Sequence, residues 1–315
     1  MLKIAIVGTG IIAKNHTAAI KELENVTLSA VCDINEEKAK AYSEECGVPY
    51  ALDYKELLKK ADFDAVILNL PHGLHCEVAE FFLNAGKHVL VEKPMANTVE
   101  ECERMIACAK KNNKKLAIAH IQRFYNHMQK IKEIYESGEL GKLCMYTENR
   151  CEDYFYDKRP KWFLSKKLAG GGIAMNFAAH SFDKLLSIMD GAKITSVNAS
   201  CGNYKNDYDV EGHAQILAKF DNGVSASITL TGYTALGSES NFYFTKGALK
   251  ITGKSLTINR LDGNGYVPVE LPSAPNAFTQ EIDAFYRYVN DEDSNIPDGE
   301  YSKQIIAAIK AAYNE

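Results

Sequence analysis

A glycine-rich loop between an apolar strand and a helix is the feature that most restricts the fold of this chain. Residues 2–7 form a short apolar run, and residues 8–13 read Gly-Thr-Gly-Ile-Ile-Ala, which fits the pattern GxGxxA. In that pattern the first glycine allows a tight turn, the second lets backbone N–H groups approach a pyrophosphate, and the small last residue allows close helix–strand packing. The helix N-terminus then faces the phosphate charge. The loop predicts a dinucleotide-binding domain, with cofactor contacts from Gly8, Thr9, Gly10, Ile11 and Ile12.

An acidic residue follows the second predicted strand, at 26–32. Asp33 lies 25 residues after Gly8, near the offset of about 20 that is usual for the acid of this motif. A carboxylate there accepts hydrogen bonds from the adenosine ribose hydroxyls and repels a 2′-phosphate. We therefore expect NAD as the cofactor, with NADP less favoured. The alternative for Asp33 is an N-cap of the helix that follows.

Strands and helices alternate through residue 120. Apolar runs at 65–70, 88–91 and 116–119 are separated by segments with helical character. Strands that are apolar throughout are buried on both faces, which indicates a parallel sheet with helices on each side. We predict an α/β Rossmann domain over residues 1–120.

The pattern changes after residue 120. Runs of β type follow one another from 194 to 260 without helices between them, and Asp221-Asn222-Gly223 is a hairpin turn signal. The second half, 121–315, is therefore predicted to be an α+β domain with a large, mostly antiparallel open sheet. Its terminal helices are allowed to pack back on the first domain. Helices are predicted at 124–137, 173–188, 276–290 and 301–313.

Composition and charge exclude several classes of protein. The chain has 36 basic and 41 acidic residues, a net charge of −5, and so lacks the basic surplus of a nucleic-acid binder. It has no apolar run of about 18 residues that would span a membrane and no secretory signal pattern. Its eight cysteines lack the CxxC spacing typical of zinc sites. We expect a cytoplasmic protein with reduced thiols and no metal, nucleic-acid or membrane partner.

Later segments are more specific than the glycine loop. The chain reads Asn-Leu-Pro-His-Gly-Leu-His at 69–75 and Ala-Gly-Lys-His-Val-Leu-Val-Glu-Lys-Pro at 85–94. Together with residues 122–124, 138–142 and 170–183, these blocks resemble the Gfo/Idh/MocA family, which includes glucose–fructose oxidoreductase and inositol 2-dehydrogenase. The resemblance covers nearly the whole chain. It implies a carbohydrate or cyclitol substrate, a substrate pocket supplied by the second domain's sheet, and a homodimer or homotetramer.

The resemblance also implies roles for individual residues. Lys93 is placed beside the nicotinamide ribose and the reacting hydroxyl, and the bond before Pro94 is often cis in the family. His180 is commonly assigned as acid or base and contacts the substrate together with residue 176. This chain has Asn176 where the family usually has Asp, and an amide hydrogen-bonds a hydroxyl but does not ionise. We expect Lys93 and His180 to be catalytic, and all three residues to bind substrate. The resemblance further implies cofactor contacts from Asn69, Pro71, His75, Glu92, Lys93 and Arg123, with a structural role equally open for His75.

A polar, aromatic stretch at 152–162 precedes the glycines at 170–172. Aromatic faces and fixed charges suit a sugar, and Arg159 or Lys161 is also able to hold a carboxylate or phosphate of the substrate. We predict substrate contacts from Tyr154, Arg159 and Trp162. The alternative is that the stretch forms a loop and oligomer contacts.

The predicted activity is hydride transfer between a hydroxyl carbon of a carbohydrate, sugar acid or cyclitol and the nicotinamide. A base with a pKa near neutrality suits removal of the hydroxyl proton, which favours His180, whereas a cationic Lys93 would stabilise the developing alkoxide. Two alternatives stay open from the sequence. One is a redox-assisted sugar hydrolase or lyase that holds NAD tightly, and the other is a non-catalytic NAD-sensing regulator.

Overall fold

The computed structural model describes residues 1–204 and 207–314. The chain divides into two compact units, the first made of Met1–Ile121 and Pro275–Lys303, the second of Gln122–Ala274 and the residues from Gln304 onward. The predicted second domain at 121–315 thus differs from the second unit by Ile121 and the segment Pro275–Lys303.

The first unit alternates strands and helices along its N-terminal part. Its elements are β1 (Leu2–Val7), α1 (Ile11–Lys21), β2 (Val26–Cys32), α2 (Glu36–Cys46), β3 (Tyr50–Ala51), α3 (Tyr54–Lys60), β4 (Ala65–Leu68), α4 (His75–Asn84), β5 (His88–Glu92), α5 (Val99–Lys111) and β6 (Leu116–Ala119).

The six strands form one parallel sheet in the order β3-β2-β1-β4-β5-β6. β1 pairs with both β2 and β4, so the strand order reverses beside it, and in open α/β sheets ligands bind at the carboxyl ends of the strands at such a point. The strands are buried, with Ile4 and Ile6 showing no exposed surface. The predicted α/β Rossmann fold is confirmed.

The second unit carries most of its strands without intervening helices. Its elements are α6 (Asn126–Ser137), β7 (Leu143–Asp153), α7 (Lys166–Ala169), a π-helical segment (Ala174–Ala178) that continues into α8 (Ala179–Ile188), β8 (Ile194–Gly202), β9 (His213–Phe220), β10 (Ser225–Thr231), β11 (Tyr233–Phe244), β12 (Gly247–Thr252), β13 (Ser255–Asn259) and β14 (Val267–Pro268).

These strands form an eight-stranded sheet in the order β14-β13-β12-β11-β7-β10-β9-β8. Only the β7–β10 pair is parallel among the described strand pairs, which confirms the mostly antiparallel sheet. The predicted hairpin at 221–223 joins β9 to β10, and Gly223 has the positive φ of 87° that this turn needs. The predicted homodimer or homotetramer stays a prediction.

β7 lies in the middle of this sheet but was not predicted as a strand. Its buried face carries Tyr146 followed by Glu148, which is 1% exposed. A carboxylate at a core position breaks the apolar alternation by which strands are recognised.

Two helices close the chain, α9 (Ala277–Val289) and α10 (Gly299–Ala312). α9 belongs to the first unit and packs against α1, where the rings of His16 and Phe278 meet edge to face at 5.3 Å. Among the described residues, none of the helices combines the length and apolar character needed to cross a membrane.

Candidate functional site

The loop between β1 and α1 gives its two glycines different surroundings. Gly8 has a φ of 92°, and a Cβ on it would lie 2.2 Å from the carbonyl oxygen of Asn69. Gly10 is the N-cap of α1 with a φ of −72°, and a Cβ there would meet no atom of the described residues within 4 Å. Gly8 is therefore required by the fold, whereas Gly10 leaves open space before the helix N-terminus. A bound pyrophosphate needs such space, so the loop fits a dinucleotide.

Asp33 closes this loop from the carboxyl end of β2. Its Oδ2 accepts hydrogen bonds from the backbone N–H and the hydroxyl of Thr9, both at 2.9 Å, and its Oδ1 accepts from the Asn35 N–H at 2.9 Å. A carboxylate has about four acceptor positions, so Asp33 retains capacity for a ribose hydroxyl. The alternative that Asp33 caps the following helix is wrong, because the side chain of Asn35 caps α2 by accepting from the Lys38 N–H.

Two isoleucines beside the loop are strongly exposed. Ile11 follows Gly10 and is 85% exposed, and Ile34 follows Asp33 and is 91% exposed. These side chains offer apolar surface on either side of the Thr9–Asp33 contact, where covering by a ligand would be favourable. Ile34 was not predicted, since its one signal in the sequence is its position after Asp33. Ile12 is half-buried.

Lys93 lies directly after β5, and the Lys93–Pro94 peptide bond is cis, as the resemblance implies. The backbone N–H of Lys93 donates to Oε2 of Glu92 at 3.2 Å, while Oε1 of Glu92 lies 3.1 Å from Nε2 of the buried His16. Both carboxylate oxygens of Glu92 are thus engaged, which holds this end of β5 in one conformation.

The cofactor contact predicted for His75 is not compatible with its place in the structure. The ring is fully buried, with Nδ1 3.0 Å from the Pro94 carbonyl oxygen and Nε2 2.9 Å from that of Leu70. Burial lowers the pKa of His75 against the opposing effect of these carbonyls. Because both ring nitrogens are occupied by backbone, His75 has the structural role and ties the end of β4 to the cis turn.

Asn69 and Pro71 follow β4 at the same edge of the sheet. The backbone N–H of Asn69 donates to the Val7 carbonyl at 2.8 Å, and its Oδ1 is buried without a hydrogen-bond partner among the described residues. Pro71 begins the 3₁₀ turn over His72–Leu74. Asn69 therefore offers an unused acceptor next to the glycine loop.

In the second unit, the predicted helix at 173–188 is not regular. Its first part, Ala174–Ala178, is π-helical, and the α-helix proper begins at Ala179. π-Helical turns are rare in proteins, but those that occur often lie at functional sites. Asn176 lies in the π segment and His180 in the first turn of α8, and both side chains are buried. The helix predicted over 173–188 therefore begins with a π-helical segment, and the turn from Asn176 to His180 crosses the point where it becomes α-helical.

A distant carboxylate holds the N-terminus of this helix. Glu211 accepts hydrogen bonds from the N–H groups of Gly172 at 2.7 Å and Ala174 at 2.8 Å, and from the hydroxyl of Tyr313 at 2.7 Å. A negative charge at this end of a helix is favourable. Glu211 and Tyr313 were not predicted as partners of this helix, since neither lies near it in the chain.

The run of glycines before the helix exists because these partners approach closely. A Cβ on Gly171 would lie 2.2 Å from the Tyr313 hydroxyl, and one on Gly172 would lie 2.0 Å from the Glu211 carbonyl oxygen. Neither position therefore tolerates a side chain.

Arg123 forms an ion pair with a residue of α8. Its Nε and Nη2 donate to Oδ1 of Asp183 at 3.2 and 2.6 Å, and both side chains are nearly or fully buried. This pair lies one helical turn beyond His180. The predicted contact between Arg123 and the cofactor stays a prediction, and the structure adds a role in fixing α8.

A buried ion pair attaches α8 to the sheet. Nζ of Lys184 lies 2.5 Å from Oε1 of Glu148, and the Tyr146 hydroxyl donates to Oε2 of Glu148 at 2.8 Å. Burial opposes the charge of Glu148, but the Lys184 ammonium and several hydrogen bonds outweigh it, so the pKa of Glu148 lies below its usual value. The ion pair fixes the position of α8 relative to β7.

The direct substrate contact predicted for Tyr154 is not supported, because its ring has no exposed surface. The guanidinium of Arg159 lies over this ring, 3.6 Å from its centre, and Trp162 stacks on the neighbouring Phe163 at 3.6 Å. Burial raises the pKa of Tyr154 to about 12, against the effects of Arg159 and Asn176. The Tyr154 ring therefore packs against the Arg159 guanidinium.

Two family models match the chain. One, described as "Oxidoreductase family, NAD-binding Rossmann fold", matches residues 2–120, and the other, described as "GFO/IDH/MocA C-terminal domain", matches residues 128–250.

Named relatives and solved structures are similar to this chain. A 1-carboxy-3-chloro-3,4-dihydroxycyclo hexa-1,5-diene dehydrogenase of Comamonas testosteroni is 37% identical over 59% of this chain and 47% of the relative, so the match spans about half of that protein. D-Glucoside 3-dehydrogenase of Escherichia coli (strain K12) is 30% identical over 70% of this chain and 68% of the relative. The structure of aldose-aldose oxidoreductase from Caulobacter crescentus complexed with glycerol has a TM-score of 0.90 at 26% identity, covering 99% of this chain and 96% of that one.

Proposed function

The chain belongs to the Gfo/Idh/MocA family of NAD-binding oxidoreductases, and on that premise we propose that it transfers a hydride between a hydroxyl carbon of a carbohydrate, sugar acid or cyclitol and NAD. The observation that carries the proposal is the loop at Gly10, open before the N-terminus of α1 and bordered by Asp33. The names of the relatives, which refer to a dihydroxylated ring, a glucoside and aldoses, support this substrate class.

The residues proposed to hold the cofactor are the Gly8–Ile12 loop, Asp33 and the newly found Ile34. The first turn of α2 adds Glu36 and Glu37 just beyond Asp33. Three carboxylates in five residues disfavour a 2′-phosphate by like-charge repulsion. This charge pattern supports NAD over NADP.

NAD, when bound, supplies the hydride acceptor. In the proposed mechanism the chain's own residues handle the proton and the developing charge. His180 takes the proton of the substrate hydroxyl, because an imidazole accepts a proton near neutral pH. Lys93, as an ammonium, stabilises negative charge on the hydroxyl oxygen. Asn176 orients the hydroxyl by a hydrogen bond and takes no proton, which leaves His180 as the base of the second unit.

The catalytic assignment is tested by Lys93→Met and His180→Ala. Each substitution is expected to lower kcat by roughly 100-fold or more, as for loss of a general acid–base or charge-stabilising group. NADH formation at 340 nm across aldoses, hexuronates and cyclitols measures this, with Lys40→Met on the exposed side of α2 as the matched control. Near wild-type turnover by both variants would refute the assignment. Tightly retained NAD without net NADH would instead indicate the redox-assisted hydrolase or lyase.

The cofactor assignment is tested by thermal unfolding of the wild-type protein with each dinucleotide. A ligand that binds the native state raises Tm by mass action, so NAD is expected to raise Tm more than NADP at equal concentration. A larger shift with NADP would contradict the interpretation of Asp33.

A further inference from the structure

Arg159 lies in the second unit, on the segment between β7 and α7, with its guanidinium resting on aromatic rings. Its Cζ lies 3.6 Å from the centre of the Tyr154 ring, 4.3 Å from that of Phe163 and 5.6 Å from that of Tyr156. Arginine stacks on aromatic faces while its N–H groups point outward in the guanidinium plane. The rings therefore fix the plane of this group and direct its donors along that plane.

No acidic side chain among residues 1–204 and 207–314 forms an ion pair with Arg159, and its buried Nε has no hydrogen-bond acceptor there. Two acids of the second unit, Glu152 and Glu211, have other partners. Glu152 pairs with Arg150 at 3.3 Å, and both oxygens of Glu211 are bound at the helix N-terminus. A half-buried charge without a counter-ion is unfavourable, so an anionic ligand at Arg159 would be stabilising.

Tyr154 connects Arg159 to the proposed substrate residues within the same unit. The Tyr154 hydroxyl lies beside the side chain of Asn176, whose polar group lowers the pKa of the phenol against the larger effect of burial. The Tyr154 ring packs edge to face on Phe177 at 5.8 Å. Arg159 and the proposed substrate residue Asn176 therefore share Tyr154 as a neighbour.

We propose that Arg159 binds a carboxylate of the substrate, so that the enzyme acts on a sugar acid rather than a neutral sugar. The inference rests on the proposed oxidoreductase function and names its substrate class. A planar guanidinium matches a carboxylate with two parallel N–H···O bonds. The local charge favours a monoanion over a phosphate dianion, because acids and bases balance around the arginine: Glu152, Asp153 and Asp157 against Lys158, Arg159 and Lys161.

The first test compares matched substrates that differ in one group. D-Glucuronate and D-galacturonate are compared with D-glucose and D-galactose, with NAD present and NADH formation as the readout. The wild-type protein is expected to favour the acids by roughly 10- to 100-fold in kcat/KM, the range of a hydrogen-bonded charge pair. Arg159→Gln should remove this preference chiefly by raising KM for the two acids. Arg159→Lys should retain part of the acid preference, since the positive charge remains but the paired N–H donors of the guanidinium are lost.

Lys158→Gln is the matched control, because it removes a positive charge from the exposed neighbouring position. It is expected to keep the acid preference within about twofold. If Arg159→Gln instead lowers kcat/KM for acids and neutral sugars alike, or only lowers Tm, Arg159 is structural and the proposal fails.

A binding measurement separates this proposal from the redox function. Trp162 is the single tryptophan of the chain and stacks on Phe163, which also contacts Arg159. Titration of its fluorescence with the four sugars should show saturable binding of the two acids. Arg159→Gln should weaken this binding about 10-fold or more.

Acid binding without any NADH formation would refute the hydride transfer and keep the carboxylate site. NADH formation from neutral sugars with no response to either acid would keep the hydride transfer and overturn the site. Preference for glucose 6-phosphate over glucuronate would assign the site to phosphate and overturn the carboxylate.

Discussion

Gly8 and Gly10 stand two positions apart in one loop and are glycines for different physical reasons. At Gly8 the backbone has a positive φ and the Asn69 carbonyl leaves no room for a side chain. At Gly10 both restrictions are absent among the described residues, and only a ligand would occupy the space. The two positions thus separate the requirements of the fold from those of the cofactor.

Substitution by alanine should separate these two effects. Gly8→Ala is expected to cost about 2–3 kcal/mol for the left-handed conformation and the clash, and so lower Tm by roughly 5–10 °C. Gly10→Ala should leave Tm within about 1 °C and weaken NAD binding by at least about 10-fold, because a methyl group would meet the pyrophosphate. Thermal unfolding with and without NAD measures both quantities. Equal NAD affinity of Gly10→Ala and wild type would contradict the assignment of the loop.

At the scale of elements, the π-helical entry into α8 depends on a partner far away in sequence. Glu211 and Tyr313 together satisfy N–H groups at the start of the helix, and Tyr313 also accepts from the Met175 N–H at 3.0 Å. This helix carries Asn176 and His180, so its N-terminal anchor sets where the proposed substrate residues lie.

Removal of Glu211 or of the Tyr313 hydroxyl should lower the free energy of unfolding, and the two effects should not be additive. Glu211→Ala is expected to lower the free energy of unfolding by about 2–4 kcal/mol, because it leaves two buried N–H groups unpaired. Tyr313→Phe should lower it by about 1 kcal/mol, and the double variant should lose about 1 kcal/mol less than the sum. Urea unfolding measures these values, with Glu133→Ala on the exposed face of α6 as the control. Strict additivity would show that the two side chains act independently.

At the scale of the whole molecule, each unit contains a histidine that resists protonation. Burial, with the charge of Lys184, lowers the pKa of His127 to about 4 in the second unit. In the first unit burial, with Lys114 and Lys115, lowers the pKa of His88 to about 4. Unfolded histidine titrates near 6.5, so between these values the unfolded chain binds more protons than the folded one. Stability should therefore fall as the pH falls from about 6.5 to 4.

This acid sensitivity is measurable with one substitution. His127→Gln should flatten the pH dependence of the unfolding free energy by about 2–3 kcal/mol between pH 7 and pH 4.5. His88→Gln should flatten it less, because His88 is more exposed. Urea unfolding at several pH values gives the free energy of unfolding of the variant and of the wild type. The contribution of the titrating carboxylates is the same in both proteins and cancels in the difference. An unchanged slope in His127→Gln would show that its protonation is not linked to folding.

Some features of this protein follow from local sequence. The strand–loop–helix order of the first unit, the glycine loop and Asp33 are all recognisable in the chain, because hydrophobic periodicity and glycine positions act over a few residues. The hairpin at 221–223 is predictable for the same reason. The blocks around Lys93 and His180 are also continuous in the chain, and they carry the resemblance to the family.

Other features were decided only by tertiary structure. In the sequence, Glu148 is a polar residue that interrupts a strand, and only the structure shows Lys184 beside it. For His75 the sequence left a cofactor contact and a structural role equally open, and the structure shows its ring between the Leu70 and Pro94 carbonyls. The N-terminal anchor of the helix joins residues 39 and 138 positions apart. The sequence alone determined the order of strands and helices in the first unit, the glycine loop and the hairpin at 221–223, because these depend on neighbours along the chain. The folded structure decided which charges are paired and which remain available to a substrate, because that depends on contacts between distant residues.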